Sequence, residues 1–241
     1  MTLWHLVTRL GESTLLMPCA AVVCASLWLG PARRDRRNAA RWMVTFGVAV
    51  AIVVASKLAF MGWGIGSHAL DFTGVSGHAM MSAALWPVLA RLLVPDTPAP
   101  AAPSSQLSGR PPRSTRASML ALVAGMTLAT MVAVSRLVLG LHSPAEAAAG
   151  LAVGFAASGA FLAWADKPLR AAPLMAALTV VLLATAVPVR ALSLPTHHWL
   201  EAVAVQLSGR DRPYRRDNWR GALPLPALLC APPNRIRIRP A

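Results

Sequence analysis

Long apolar runs separated by short polar stretches occupy most of this 241-residue chain. A hydrocarbon core about 30 Å thick requires roughly 20 apolar residues per helix, and a segment in lipid must satisfy its own backbone hydrogen bonds, as a helix does. Hydrophobic residues make up 56% of the chain, more than in an average soluble domain. The sequence therefore predicts an all-α, polytopic membrane helix bundle of about six transmembrane helices, at approximately residues 13–29, 42–63, 78–94, 117–141, 145–164 and 171–189.

Arginine dominates the charged residues, since the formal net charge is +14 and the chain has only two lysines, Lys57 and Lys167. Arginines close to membrane helices favour cytoplasmic loops. The loops after the first, third and fifth runs hold Arg33, Arg34, Arg36, Arg37, Arg41, Arg91, Arg110, Arg113, Arg116, Lys167 and Arg170. We therefore expect these loops in the cytoplasm and the opposite end of the bundle in the periplasm of a bacterial inner membrane. The arginine-rich tail after Arg190 departs from this scheme, so either a long tail escapes the rule or one span is miscounted.

The remaining composition limits the classes of partner and cofactor. The arginines stand between and beyond the apolar runs rather than among aromatic residues on one face, so nucleic acid is not an expected partner. Cys19, Cys24 and Cys230 have no metal-ligand spacing, and we expect neither a metal nor another cofactor. We expect a transmembrane domain over residues 1–194 and an Arg/Pro-rich, partly disordered C-terminal tail over residues 195–241.

Two short polar motifs interrupt the apolar sequence. The first is Ser76-Gly77-His78, directly before the third run, and the second is Ser135-Arg136-x5-His142-x3-Glu146, between the fourth and fifth runs. Both stand at the outer ends of their runs, so packed helices would bring them to one rim of the bundle. Ser143-Pro144 marks the start of the fifth helix, and Gly-rich sequence after Trp63 marks the end of the second.

These residue types suit the handling of a phosphate group. Glu146 lies one helical turn from His142 and can hold one imidazole nitrogen, which leaves the other nitrogen nucleophilic. His78 can protonate a leaving oxygen as a general acid. Arg136 and Lys57 can supply positive charge to a transferring phosphoryl group. The first N–H groups of the third helix, at Ser76 and Gly77, can cradle an anion.

Taken together, the motifs resemble those of the type 2 phosphatidic acid phosphatase superfamily, which shares its phosphate site with the vanadium haloperoxidases. The family's Ser-Arg-x5-His-x3-Asp motif matches Ser135 to Glu146 with Glu in place of Asp, and its Pro-Ser-Gly-His box matches Val75 to His78 without the proline. The family's Lys-x6-Arg-Pro motif matches only at Lys57, because Gly64 and Ile65 occupy the last two positions. The resemblance covers residues 57–150, which we take as the core of the domain.

The resemblance implies a membrane phosphatase in which His142 forms a phosphohistidine and His78 protonates the leaving group, without a metal. The implied partners are the bilayer and a lipid phosphate or diphosphate substrate, such as phosphatidate, phosphatidylglycerophosphate or a polyprenyl diphosphate. The family's arginine in the first motif also binds phosphate. Apart from His78 of the second motif, the only basic side chain between Lys57 and Arg91 that could replace its charge is His68, which we interpret as a loop residue. The alternative is therefore a catalytically weak or inactive member that binds a phosphorylated lipid or a membrane partner. A soluble haloperoxidase does not fit this composition.

Overall fold

The structure is a computed structural model that describes residues 3–94, 113–167, 196–216 and 219. Within these residues the chain forms seven helices and no β-strand, with a single isolated antiparallel bridge between Ser67 and Phe72. The helices are α1 Leu3–Arg9, α2 Ser13–Trp28, α3 Arg33–Trp63, α4 Gly77–Leu92, α5 Arg113–Val138, α6 Pro144–Trp164 and α7 Thr196–Ser208. The predicted all-α helix bundle is confirmed.

Among the described residues, four helical stretches are long and apolar enough to cross a membrane: Leu3–Trp28, Arg33–Trp63, Arg116–Val138 and Pro144–Trp164. The chain is therefore an integral membrane protein. The third predicted run forms α4, which at 16 residues is shorter than the other four. The sixth predicted run, residues 171–189, lies outside the described residues, so the count of six spans stays a prediction.

Helix α4 lies at the centre of the bundle and packs against α2, α3, α5 and α6. Its side chains are buried on several faces, and Ser82, Leu85 and Val88 are fully enclosed. A helix that is apolar around most of its circumference is suited to such a central position. The first turn of α4 is thus held in place by several neighbouring helices at once.

Small residues allow α5 and α6 to approach α4 closely. A Cβ atom at Gly150 would lie 2.6 Å from the carbonyl oxygen of Ser76, and one at Gly125 would lie 2.6 Å from that of Trp86. Gly154 faces the backbone of α4 in the same way. Such close contact is typical of membrane helix pairs. Gly159 of α6 differs, because a Cβ there would meet no atom of the described residues within 4 Å.

The arginine cluster that follows the first run is helical rather than a loop, which corrects the sequence interpretation. Helix α3 begins at Arg33, and Asp35 in its first turn accepts a hydrogen bond of 3.1 Å from the backbone N–H of Ala32. A carboxylate at a helix N-terminus is favourable because it opposes the positive end of the helix dipole. The 31 residues of α3 extend about 46 Å, so the helix can carry this charged turn beyond the hydrocarbon core.

At this end of the bundle, a polar cluster joins α3 to the residues that follow α6. Asn38 and Asp166 exchange two hydrogen bonds of 2.9 Å through the backbone of Asp166. The Asp166 carboxylate also forms ion pairs with Arg37 at 3.0 Å and Arg41 at 2.9 Å. The arginine-rich end of α3 is therefore fixed to the C-terminal end of α6, and both motifs lie at the opposite end of these helices.

Residues 196–216 and Trp219, here called the C-terminal segment, pack against the other end of α3. Ala204 and Trp219 form a small buried cluster with Phe60 and Met61. The Trp219 ring also stacks on His68, with 3.6 Å between ring centroids. Residues 168–195 lie outside the described part of the chain, so the domain boundary near residue 194 stays a prediction.

Candidate active site

Four helix ends converge around the two motifs. The C-terminal part of α3 carries Lys57, and the first turn of α4 carries His78. The last turn of α5 carries Arg136, and the first turn of α6 carries Glu146. The sequence prediction that the motifs meet at one rim of the bundle therefore agrees with the arrangement of the helices.

A capping box at the start of α6 places His142 and its carboxylate. Ser143 is the N-cap residue, and its hydroxyl accepts a 3.3 Å hydrogen bond from the Glu146 N–H. Glu146 Oε2 in turn accepts from the Ser143 N–H at 3.1 Å and lies 2.8 Å from His142 Nδ1. Because the carboxylate accepts the Nδ1 proton, the free electron pair of the imidazole lies on Nε2. This is the tautomer that a nucleophilic histidine requires.

The other oxygen of Glu146 has partners that the sequence analysis missed. Oε1 accepts hydrogen bonds from Thr73, at 2.8 Å from its N–H and 2.5 Å from its hydroxyl. It also accepts a charged hydrogen bond of 2.6 Å from Arg216 Nη2. The Glu146 side chain is only 1% exposed, and a buried carboxylate needs such compensation. Each of its two oxygens therefore has more than one donor.

Arg216 could not be found from the motifs, because it lies 70 residues beyond Glu146 in the sequence and in the arginine-rich tail. Its only sequence signal is the unusual density of arginine in that tail. Thr73 gave a weaker signal still, as one of three hydroxyl residues in the loop before α4, with Ser67 and Ser76.

Ser76 contributes to the site through its backbone. It is the N-cap residue of α4, it is fully buried, and its N–H donates a 3.1 Å hydrogen bond to the carbonyl oxygen of Glu146. The amide of Ser76 is therefore engaged in joining α4 to α6. Gly77 and His78 provide the next N–H groups of the α4 terminus. The N–H groups that could form the predicted anion cradle are therefore those of Gly77 and His78.

Lys57 lies beside the loop that leads into α4. A Cβ at Gly74, where φ is +140°, would lie 3.4 Å from Lys57 Cγ, so the lysine stem packs on this glycine. The neighbouring Ser56 hydroxyl accepts a 3.0 Å hydrogen bond from the Val75 N–H, which fixes the loop to α3. The ammonium group of Lys57 interacts electrostatically with Glu146.

An open cavity of about 510 Å³ connects several of these groups. Lys57, Thr73 and His142 line it from the bundle, and Tyr214 and Arg216 line it from the C-terminal segment. Ser76, Gly77, His78 and Arg136 do not belong to its lining. The structure therefore places the predicted nucleophile and one predicted phosphate ligand at the cavity, and the other predicted residues behind or beside it.

His78 and Arg136 do not line the cavity, but they lie close enough to its charged groups to interact with them electrostatically. His78 is half-buried and interacts electrostatically with Lys57, Arg136 and His142. Arg136 Nη1 donates a 3.1 Å hydrogen bond to the hydroxyl of Thr8 in α1. Its Nε is buried and has no acceptor among the described residues. A buried donor of this kind is unfavourable until an acceptor is supplied.

Residues 61–170 match the model of the PAP2 superfamily. The chain belongs to the PAP2 superfamily. The matched region contains the Ser76-Gly77-His78 motif and the motif from Ser135 to Glu146, whereas Lys57 and the C-terminal segment lie outside it. The resemblance to type 2 phosphatidic acid phosphatases is confirmed.

Two relatives accompany this family assignment. The PAP2 protein is 42% identical over 159 residues to an uncharacterized 22.5 kDa protein in the cps region of Klebsiella pneumoniae, with 66% of this chain and 68% of that protein covered. It is 20% identical to a transmembrane PAP2 type phosphatidylglycerolphosphate phosphatase from Bacillus subtilis, with 67% of this chain and 74% of that chain covered and a TM-score of 0.46. Family membership and the membrane-spanning helices support a membrane lipid phosphatase in general.

Proposed function

We propose that this PAP2 protein hydrolyses a phosphomonoester or diphosphate of a lipid through a phosphohistidine on His142, without a metal. The observation that carries the proposal is the 2.8 Å contact between His142 Nδ1 and the buried carboxylate of Glu146, at a cavity that Lys57 also lines. Glu146 and His142 act here as the orienting carboxylate and the nucleophile.

In the first step, His142 Nε2 attacks phosphorus and the bond from phosphorus to the leaving oxygen breaks. His78 gives its proton to that oxygen, which departs as a lipid alcohol or a lipid phosphate. In the second step, His78 takes a proton from water, whose oxygen attacks the phosphohistidine. The bond from phosphorus to Nε2 breaks, inorganic phosphate leaves, and both histidines return to their starting states.

Positive charge around the phosphoryl group supports this chemistry. Lys57 lies at the cavity. Arg136 Nε has no acceptor in the described part of the chain, and it can donate to a phosphate oxygen. Fixed cations and N–H groups aimed at the transferring group are the main source of stabilisation in phosphoryl transfer. Gly77 and His78 would add the N–H groups at the start of α4.

The membrane orientation is part of the same proposal. The arginine-rich start of α3 and the site lie at opposite ends of the bundle. If the arginines face the cytoplasm, the site faces the periplasm of a bacterial inner membrane. The substrate would then be a lipid phosphate of the outer leaflet of that membrane.

The alternative is a PAP2 protein that binds a phosphorylated lipid or a membrane partner with little turnover. Gly64 favours it, because this position of the first motif lacks the arginine of the family pattern. The two functions differ in whether a covalent bond is broken.

The deciding experiment measures phosphate release by full-length protein purified in detergent, without added metal, from phosphatidate, phosphatidylglycerophosphate and undecaprenyl diphosphate. We expect turnover of at least one lipid, and its loss by about 10³-fold or more in His142→Ala, as expected when a nucleophile is removed. Folded protein that releases no phosphate from any of these lipids would favour the binding function instead.

A further inference from the structure

We propose that Arg216, which the C-terminal segment carries into the cavity, is a phosphate-binding residue of this site. The inference rests on the proposed function, because it assigns a ligand to the same substrate group. Arg216 lines the cavity together with Lys57 and His142, and its side chain is 25% exposed. A guanidinium at this position is close to the nucleophile and open to a bound anion.

The contacts of Arg216 orient the guanidinium and use only part of it. Nη2 donates to Glu146 Oε1 at 2.6 Å and to the hydroxyl of Thr73 at 3.1 Å, and Nη1 lies 3.8 Å from Asp71 Oδ2. A guanidinium has five N–H donors in a rigid plane. Nη2 uses both of its N–H groups in these contacts, so the Nε and Nη1 N–H groups are the donors that a phosphate oxygen can meet. The permanent charge of the guanidinium strengthens such a hydrogen bond.

The segment that carries Arg216 is fixed to α3 by its own contacts. The Tyr214 N–H donates a 2.8 Å hydrogen bond to the carbonyl oxygen of Met61. The guanidinium of Arg210 lies 4.2 Å from the centre of the Tyr214 ring. Beyond Arg216, Trp219 packs edge to face on Phe60. The chain is therefore held in place both before and after Arg216. This limits the conformational entropy that the segment loses when Arg216 binds a ligand.

Tyr214 occupies the space next to the position where the first motif lacks its arginine. A Cβ on Gly64 would lie 3.2 Å from the Tyr214 ring, and Gly64 has φ +70°, in the left-handed region that favours glycine. A long side chain at position 64 would therefore disturb the C-terminal segment. The same segment that fills this space brings Arg216 to the cavity, so the missing cation is replaced from a different part of the chain.

The second departure from the family pattern fits the same arrangement. Glu146 reaches His142 with one oxygen and Arg216 with the other. A glutamate is one methylene longer than an aspartate, and this length allows the carboxylate to span both partners.

The test uses full-length protein in detergent and two readouts, namely calorimetric affinity for inorganic phosphate and turnover of lipid phosphates. Arg216→Ala, Arg216→Lys and the control Arg212→Ala are compared with the natural chain. Arg212 is an exposed arginine of the same segment that does not line the cavity, so its removal changes the charge equally. Thermal unfolding of each variant identifies any that fails to fold.

We expect Arg216→Ala to weaken phosphate binding and raise KM by about tenfold or more, because a charge-assisted hydrogen bond to the phosphate is lost. Arg216→Lys should recover part of the loss, since lysine keeps the charge without the planar fork. Arg212→Ala should stay within about twofold. A folded Arg216→Ala protein that binds phosphate as tightly as the natural chain would overturn the assignment.

The two readouts separate this inference from the proposed function. Lipid turnover that Arg216→Ala leaves unchanged, together with unchanged phosphate affinity, overturns only the role of Arg216. Phosphate binding that depends on Arg216 in a chain without lipid turnover supports the inference and contradicts the phosphatase. A natural chain that binds no phosphate and releases none contradicts both.

Discussion

Arg216 Nη2 lies 2.6 Å from Glu146 Oε1, while the second oxygen of that carboxylate lies 2.8 Å from His142 Nδ1. One buried acidic side chain thus connects the proposed nucleophile to a cation from a distant part of the chain. The negative charge of Glu146 is compensated by Arg216 and by the two hydrogen bonds from Thr73. The orientation of His142 therefore depends on the C-terminal segment as well as on α6.

Shortening the carboxylate in Glu146→Asp tests this connection. Aspartate keeps the charge but cannot span both partners, so we expect phosphate affinity to fall by roughly the factor seen in Arg216→Ala. The double variant should then be hardly weaker than either single variant, because residues that act through one contact are not additive. The measurement is a double-mutant cycle on phosphate affinity and kcat/KM. Fully additive losses would contradict a functional contact between Glu146 and Arg216.

Restoring the family's arginine in Gly64→Arg should reduce rather than increase activity. The new side chain would meet the ring of Tyr214 and push away the segment that holds Arg216. The matched control is Gly209→Arg, because Gly209 has a similar φ of +66° but no atom of the described residues within 4 Å of its Cβ position. Both variants carry the backbone cost of about 1 kcal/mol for a non-glycine residue in this region.

Turnover and the temperature of half-unfolding separate the two glycine variants. We expect Gly209→Arg to lose a little stability and keep its turnover, and Gly64→Arg to lose several-fold in kcat/KM. Higher turnover in Gly64→Arg than in the natural chain would show that the missing arginine limits activity, against our interpretation.

The sequence predicted the local structure around the site because short-range signals determine it. Ser143-Pro144 does begin α6, and α3 ends at Trp63 with Gly64 in the left-handed conformation. The spacing of His142 and Glu146 places them one helical turn apart, and they are in contact. Capping, helix periodicity and glycine geometry act over a few residues, so a single sequence contains them.

The parts that the sequence missed depend on tertiary packing. The contact between Arg216 and Glu146 requires α7 to lie against α3, and an arginine within an arginine-rich tail has no local feature that marks it. Arg33 and its neighbours were read as a loop because charge alone marks a membrane boundary, whereas helix propensity allows α3 to continue through them. The engagement of the Ser76 N–H by the Glu146 carbonyl is likewise a contact between helices.

Replacement of Asp166 tests the other end of the bundle. Hydrogen bonding from Arg41, with the charges of Arg41 and Arg37, lowers the pKa of Asp166 below its ordinary value of 3.8. A carboxylate whose pKa is lower in the folded state stabilises that state above its unfolded pKa, and the stabilisation is lost as pH falls through the folded pKa. Asp166→Asn should therefore unfold at a lower temperature at pH 7 and match the natural chain well below pH 3.8.

The control for this pH dependence is Asp211→Asn, at an exposed aspartate of the C-terminal segment. Unfolding temperatures of the three proteins in detergent between about pH 2 and pH 7 provide the measurement. The ion pairs of Asp166 would be irrelevant to stability if Asp166→Asn and Asp211→Asn behaved alike at every pH.

Close packing of α6 on α4 is predicted to control the geometry of the site. In Gly150→Ala the added methyl group would lie 2.6 Å from the Ser76 carbonyl oxygen, so the two helices must separate. Overpacking of this kind costs about 1–3 kcal/mol, and it stretches the hydrogen bond from the Ser76 N–H to the Glu146 carbonyl. The control is Gly159→Ala on the same helix, where the methyl group meets no described atom within 4 Å. We expect Gly150→Ala to unfold at a lower temperature and to have a lower kcat, and Gly159→Ala to show neither change. If the two variants behaved alike, the close packing of α6 on α4 would not control the position of Glu146.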